Sequence, residues 1–219
     1  VSYMFNRQEY LDLIYEGFGT FKQYTPPKSS PYYYPKLAEA YLEYDPDKAN
    51  ALMDGLGYTE RDSEGYRVYP DGSGDRIVIN YMAINTHPIK TTELLADYFK
   101  GIGIQLTYKV VDRSLSIEAH DANEIDGDYP GWFDYNLVPL AEPRMWVRGW
   151  TTKPWAVAWQ AWYDDPTSPI AEKPPDGHWI WNIWELWDQI QVTADAEEQK
   201  QLFFKILDIW YDELPCPCF

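Results

Sequence analysis

The chain has 219 residues, 45% of them hydrophobic, which is enough for a substantial core and excludes a disordered polypeptide. Its 18 Lys and Arg stand against 35 Asp and Glu, a formal net charge of -17, so its mean surface field repels nucleic-acid phosphates and anionic lipid, and nucleic acid is excluded as a partner. No apolar run reaches the roughly 18 residues of a membrane span, and Val1–Met4 has neither an initiator methionine nor a basic stretch ahead of an apolar one, so any leader or anchor is expected outside this sequence.

Along the chain, Leu11, Ile14, Tyr15 and Phe18 recur at helical spacing and Gly17 and Gly19 close the pattern, which predicts the end of a helix over Phe5–Phe18 with no visible cap at its start. Residues 20–37 carry Pro26, Pro27, Pro31 and Pro35 around Tyr32–Tyr34 and predict an extended aromatic loop. Asp45 and Pro46 are an N-cap and a first-turn proline, and Ala49, Leu52, Met53 and Leu56 follow before Gly57, the pattern of a short helix. Pro70-Asp71-Gly72 marks a turn between Gly65–Tyr69 and a β-branched strand over Arg76–Ala83. The acidic Asp62, Glu64 and Asp71 lack the spacing of a calcium loop and read as a solvated hairpin.

Pro88–Lys100 reads as a helix with Ile89, Thr92, Leu95, Ala96 and Phe99 on one face, and Ile102–Val111 as a strand. Strand, helix and strand with short connections predict a right-handed crossover in a parallel sheet, and hence an α/β fold: a mixed, mainly parallel sheet flanked by helices. Asp112 can cap a helix containing Leu115, Ile117 and Ala119, and Trp132–Leu140 reads as a third strand.

Ala141–Gly177 then forms a long, Pro-rich stretch carrying Trp146, Trp150, Trp155, Trp159 and Trp162, predicted as a loop with a function. Two helices finish the chain: His178–Val192, with Ile180, Trp184, Trp187 and Ile190 or Gln191 on one face, and a second capped by Thr193 or Asp195, with Leu202, Ile206, Ile209 and Trp210 facing inward. Cys216 and Cys218, one proline apart, fit neither a disulfide framework nor a four-ligand metal spacing, so no metal or other cofactor is expected.

In this order, Ser2-Tyr3-Met4-Phe5-Asn6-Arg7, Tyr44-Asp45-Pro46-Asp47-Lys48-Ala49 with Leu56-Gly57-Tyr58, Phe99-Lys100-Gly101-Ile102-Gly103-Ile104, Phe133-Asp134 and Thr193–Glu198 are similar to segments spread over the C-terminal lobe of family 5 extracellular solute-binding proteins. The resemblance implies one lobe of a two-lobe, type II periplasmic-binding-protein-like fold, with residues 1–219 as a single ligand-binding lobe of a larger protein. It further implies an extracytoplasmic component of an ABC importer, closing with a missing N-terminal lobe on an oligopeptide or similar oligomer and delivering it to a permease. The same family includes oligosaccharide binders. Its peptide-binding members carry an acidic motif like "DYPDP" after the third strand, whose carboxylate meets the ligand's α-amino group. The place reads here Leu140–Trp146, with Glu142 as the carboxylate.

In α/β sheets ligand sits beyond the carboxyl ends of the strands. The expected ligand-binding residues are therefore Trp146, Trp150, Trp155, Trp159 and Trp162 as stacking faces, with Glu142, Arg144 and Asn85 as orienting groups. Packing on the sheet or against another lobe is the competing role for each tryptophan. A glycosidase built on Glu142, Asp164 and Asp165, and a β-sandwich sugar-binding module, are both weaker readings: acidic residues are abundant throughout, and the helical segments argue against a sandwich. His87, His120 and His178 are far apart in sequence and show no catalytic spacing.

Overall fold

The computed structural model describes residues 1–84, 89–128, 137–143, 145–147 and 155–216. A 3-10 turn, Ser2–Met4, leads into α1 (Arg7–Tyr15). This helix starts afresh rather than continuing a longer one: the Asn6 side chain caps it by accepting a hydrogen bond from the Glu9 amide. The proline-rich stretch is irregular until α2 (Pro35–Ala38), and α3 (Pro46–Gly55) starts with Asp45 accepting from the Lys48 amide and Pro46 at its first position.

The sheet follows. β1 (Val78–Ile84) is central, paired in parallel with β2 (Gln105–Val111) on one side and β3 (Gly127–Asp128) on the other. The connections are α4 (Ile89–Gly101) and α5 (Arg113–Asp121), the latter capped by Asp112. A strand not expected from sequence, Gly127–Asp128, precedes the Trp132–Leu140 stretch; of that stretch residues 132–136 lie outside the described residues and 137–140 form no strand. The stretch 141–177 is not all loop either, because α6 (Val157–Asp164) lies within it. The two terminal helices, α7 (Ile180–Val192) and α8 (Ala196–Glu213, capped by Asp195), form as predicted.

Two apolar clusters hold these elements. One lies against a single face of the sheet, where Leu95, Tyr98 and Phe99 of α4 meet Met4, Phe5, Tyr10, Ile102 and Ile104, with Ile79 and Leu106 of the strands at its edge. The other is aromatic: Ile183, Trp184 and Trp187 of α7 and Phe203, Ile206 and Trp210 of α8 pack with Tyr24, Trp146 and Trp155. Burying each such side chain stabilises the fold by roughly 1.5–3 kcal/mol. The clusters meet at three rings: Tyr3, packed on the first, stands edge-on to Tyr41 at 5.8 Å, and Tyr41 stacks at 5.5 Å on Tyr211, packed on the second. The ammonium groups of Lys48 and Lys36 sit 3.8 Å and 4.2 Å from the ring centres of Tyr3 and Tyr211.

Arg67 is the most deeply buried charge among the described residues, with 1% of its surface exposed. Its guanidinium donates to the carbonyls of Ile102, Tyr58 and Asn50 and pairs with Asp54, whose own side chain reaches water. Gly103 lies over it with φ +81°, and a Cβ there would fall 2.8 Å from Arg67 Cγ. Nearby, Asp62 and Glu64 both pair with Arg76, so the acidic hairpin is held by an arginine of the neighbouring strand segment.

Candidate functional site

Because all three strands run the same way, their carboxyl ends, Ile84, Val111 and Asp128, lie towards one edge of the sheet. Asn85 follows β1 but lies outside the described residues, as do Arg144 and Trp150. On the described part, a cleft of about 260 Å³ runs along the free edge of β3 to its end. The α5–β3 connection (Asn123, Asp126) forms one wall and Trp155, Ala156 and Val157 form the other. Asp126 is fixed by the backbone amide and side-chain amide of Asn80, at 2.8 and 3.1 Å.

Asp128, the last residue of β3, faces His120 of α5 with 3.2 Å between its Oδ2 and the imidazole Nδ1, both side chains being largely buried. In the sequence His120 stands far from the other histidines, with no catalytic spacing. What brings it to the site is the α5–β3 turn, which folds residues eight positions apart onto each other; an Asp at the end of a strand after a helix carrying His is the signal that was available. Ala156, on the opposite wall, has the left-handed backbone φ 49°, ψ 47°, a strain of roughly 1 kcal/mol for a residue with a Cβ. Cys216 packs on the aromatic cluster near Asp128, where burial first and then that carboxylate push its thiol up to about 11, so it stays protonated at neutral pH.

The tryptophans separate into two groups. Trp146 is 1% exposed, its ring 4.9 Å from Tyr24 and edge-on to Phe203, and its carbonyl accepts from the Trp210 indole at 2.9 Å. Trp155 is also buried, donating to the Met145 carbonyl at 2.8 Å with its ring over Trp179. Both rings pack the core; the Trp155 indole N–H is satisfied there, whereas that of Trp146 is buried with no hydrogen-bond partner among the described residues, and of the two only Trp155 reaches the cleft. Trp159 and Trp162, three residues apart on α6, are half-buried: Trp159 stands edge-on to His178 and Trp162 edge-on to Trp181. Glu142 is half-buried in the turn after residue 137. The expected residues therefore do not converge on one stacking surface within the described part.

A parallel sheet with helices on it and a cleft at the strand ends is shared by many α/β folds, and the match to a solved oligopeptide-binding protein described below makes this one the periplasmic-binding-protein fold. The family model for bacterial extracellular solute-binding proteins, family 5 (middle region), matches residues 1–170, and the chain belongs to this family. Among solved structures it is similar to an oligopeptide-binding protein OppA, with 27% identity and a TM-score of 0.84 over 97% of this chain and 35% of that one. It is similar in fold to DppA of Helicobacter pylori, described as ABC transporter-associated and in complex with the peptide STSA (21% identity, TM-score 0.65, 98% and 36% covered). The same holds for MelB of Agrobacterium fabrum C58, in complex with stachyose (15% identity, TM-score 0.63, 97% and 31% covered). The chain thus spans about a third of the length of these relatives. No curated protein sequence matches it.

Proposed function

We propose that residues 1–219 form one lobe of the solute-capturing protein of an ABC importer, acting outside the cytoplasm, and that the solute is an oligopeptide gripped between this lobe and a second one. Capture and hand-over need a cleft and a hinge but no bond-breaking groups, and the family match over residues 1–170 is the observation that carries this reading. The sequence following Gly127–Asp128 supports the peptide. Asp134-Tyr135 comes a few residues later in sequence and matches the Asp-Tyr start of the family's acidic motif, so it is the counterpart of that motif in place of Glu142. The tryptophan content and the stachyose-bound relative favour an oligosaccharide as the second reading.

The test is a thermal-shift screen of the full-length protein against peptide and oligosaccharide libraries, because a ligand that binds only the native state stabilises it by about 2.7 kcal/mol at a hundredfold excess over Kd. Peptides with a free α-amino group should raise Tm, their N-acetylated forms should do so far less, and Asp134→Asn should abolish the difference. A Tm response to oligosaccharides alone would replace peptide by sugar.

A further inference from the structure

The aromatic surface at the start of α7 has no part in the reading above. Lys173, Asp176, Gly177 and His178 of the preceding loop, with Trp181, Asn182 and Glu185 of the helix, border an open groove of about 420 Å³ that shares no residue with the cleft along β3. That volume lies in the range of small-molecule sites. We propose that this groove is a second ligand site, and that it takes a neutral sugar ring stacked on Trp181.

Trp181 is held in place as a platform. Its indole N–H donates to the Pro175 carbonyl at 3.0 Å, and its ring meets Trp162 and Trp184 edge-on, each at 5.3 Å, so no side-chain order has to be bought at binding. Groups able to bond hydroxyls surround the ring. Asn182 and Glu185 are exposed on the same helix and offer a donor with two acceptors. His178 accepts the Ile180 amide at Nδ1, 3.2 Å away, which leaves Nε2 as the proton-bearing nitrogen.

Charge selects the ligand class. Lys173 and Asp176 neutralise each other at 2.7 Å, so neither is open to a charged ligand without breaking that pair. Glu185 repels an anion. The Lys173 ammonium lies 5.9 Å from the centre of the Trp181 ring, near enough to repel a ligand cation there. A polyhydroxyl ring needs none of these charges: its C–H face covers the indole and its rim reaches the amide, carboxylate and imidazole.

The experiment uses the full-length protein with 15N-labelled tryptophan indoles, titrated with maltotriose, cellotriose and mannotriose, the Trp181 resonance being assigned as the one missing from Trp181→Phe. At least one sugar should shift that resonance saturably in the millimolar range. Asn182→Ala and Glu185→Ala, at exposed positions that leave the fold intact, should each weaken the response at least fivefold with Tm unchanged. No shift with any of the three sugars, or a shift that survives both substitutions, overturns the site. A shift abolished by Asp128→Asn also overturns it, by assigning the sugar to the cleft along β3.

Discussion

At the scale of single residues, Gly103 and Arg67 show how one backbone conformation fixes a buried charge. Only glycine adopts φ +81° without strain, and only the absence of a Cβ leaves room for the methylene stem of Arg67 and the guanidinium of Arg61 packed against this position. Gly103→Ala should therefore cost about 2–4 kcal/mol, adding backbone strain to overpacking, read as a lower urea midpoint with an unchanged slope. The carboxylate Asp208 makes a pH prediction. Burial pushes it up, but hydrogen bonds from Lys36 and Tyr34 and the lysine's charge outweigh burial and hold it below the ordinary carboxylate value. The unfolded chain then takes up the proton first as pH drops below about 4, so this contribution is present above that pH and lost beneath it. Its partner Tyr34 is pushed up to about 12, by burial first and then by the bond to Asp208, and Tyr98 is raised by burial and its 2.6 Å bond to Glu9. As pH rises past about 10, the unfolded chain releases these phenolic protons while the native one keeps them. Stability should fall there, and Tyr34→Phe with Tyr98→Phe should flatten the alkaline limb of a pH series of urea midpoints.

Helices and strands were the most legible level of the sequence where local chemistry sets them. The Asp45-Pro46 start of α3, the Asp112 cap of α5 and the Asp195 cap of α8 all stand where side-chain oxygens and a first-turn proline put them. The parallel pairing of β1 with β2 followed from the strand–helix–strand order. Burial was less legible: Phe18 is 79% exposed and Leu56 71%, although both lie on apolar periodicities, because periodicity marks a face without naming what covers it. The short Gly127–Asp128 pairing carries no β-branched run to announce it, and α6 is hidden in a proline-rich stretch with no side-chain cap. The candidate site was legible in part: its position at the strand ends and Trp155 were anticipated, whereas the His120–Asp128 pair depends on a turn that no periodicity reveals. The division between core and surface tryptophans has a direct test. Trp184→Ala should cost about 3–5 kcal/mol as a core truncation, and Trp159→Ala on half-buried α6 distinctly less, compared by thermal unfolding.

For the whole molecule, the sheet and the helical pair are two cores in one chain that belongs to the family 5 solute-binding proteins. A Tm increase on adding ligand belongs to this scale, because ligand binding to the native state is read on the complete protein. The rings of Tyr3, Tyr41 and Tyr211, with a lysine at either end of the row, rivet the two cores together. On the reading proposed above, a lobe fastened in this manner swings as a block when the protein shuts on cargo, with the pivot in other stretches of polypeptide, and loosening the rivets, for instance with Tyr41→Ala, should soften the bite without moving the pivot.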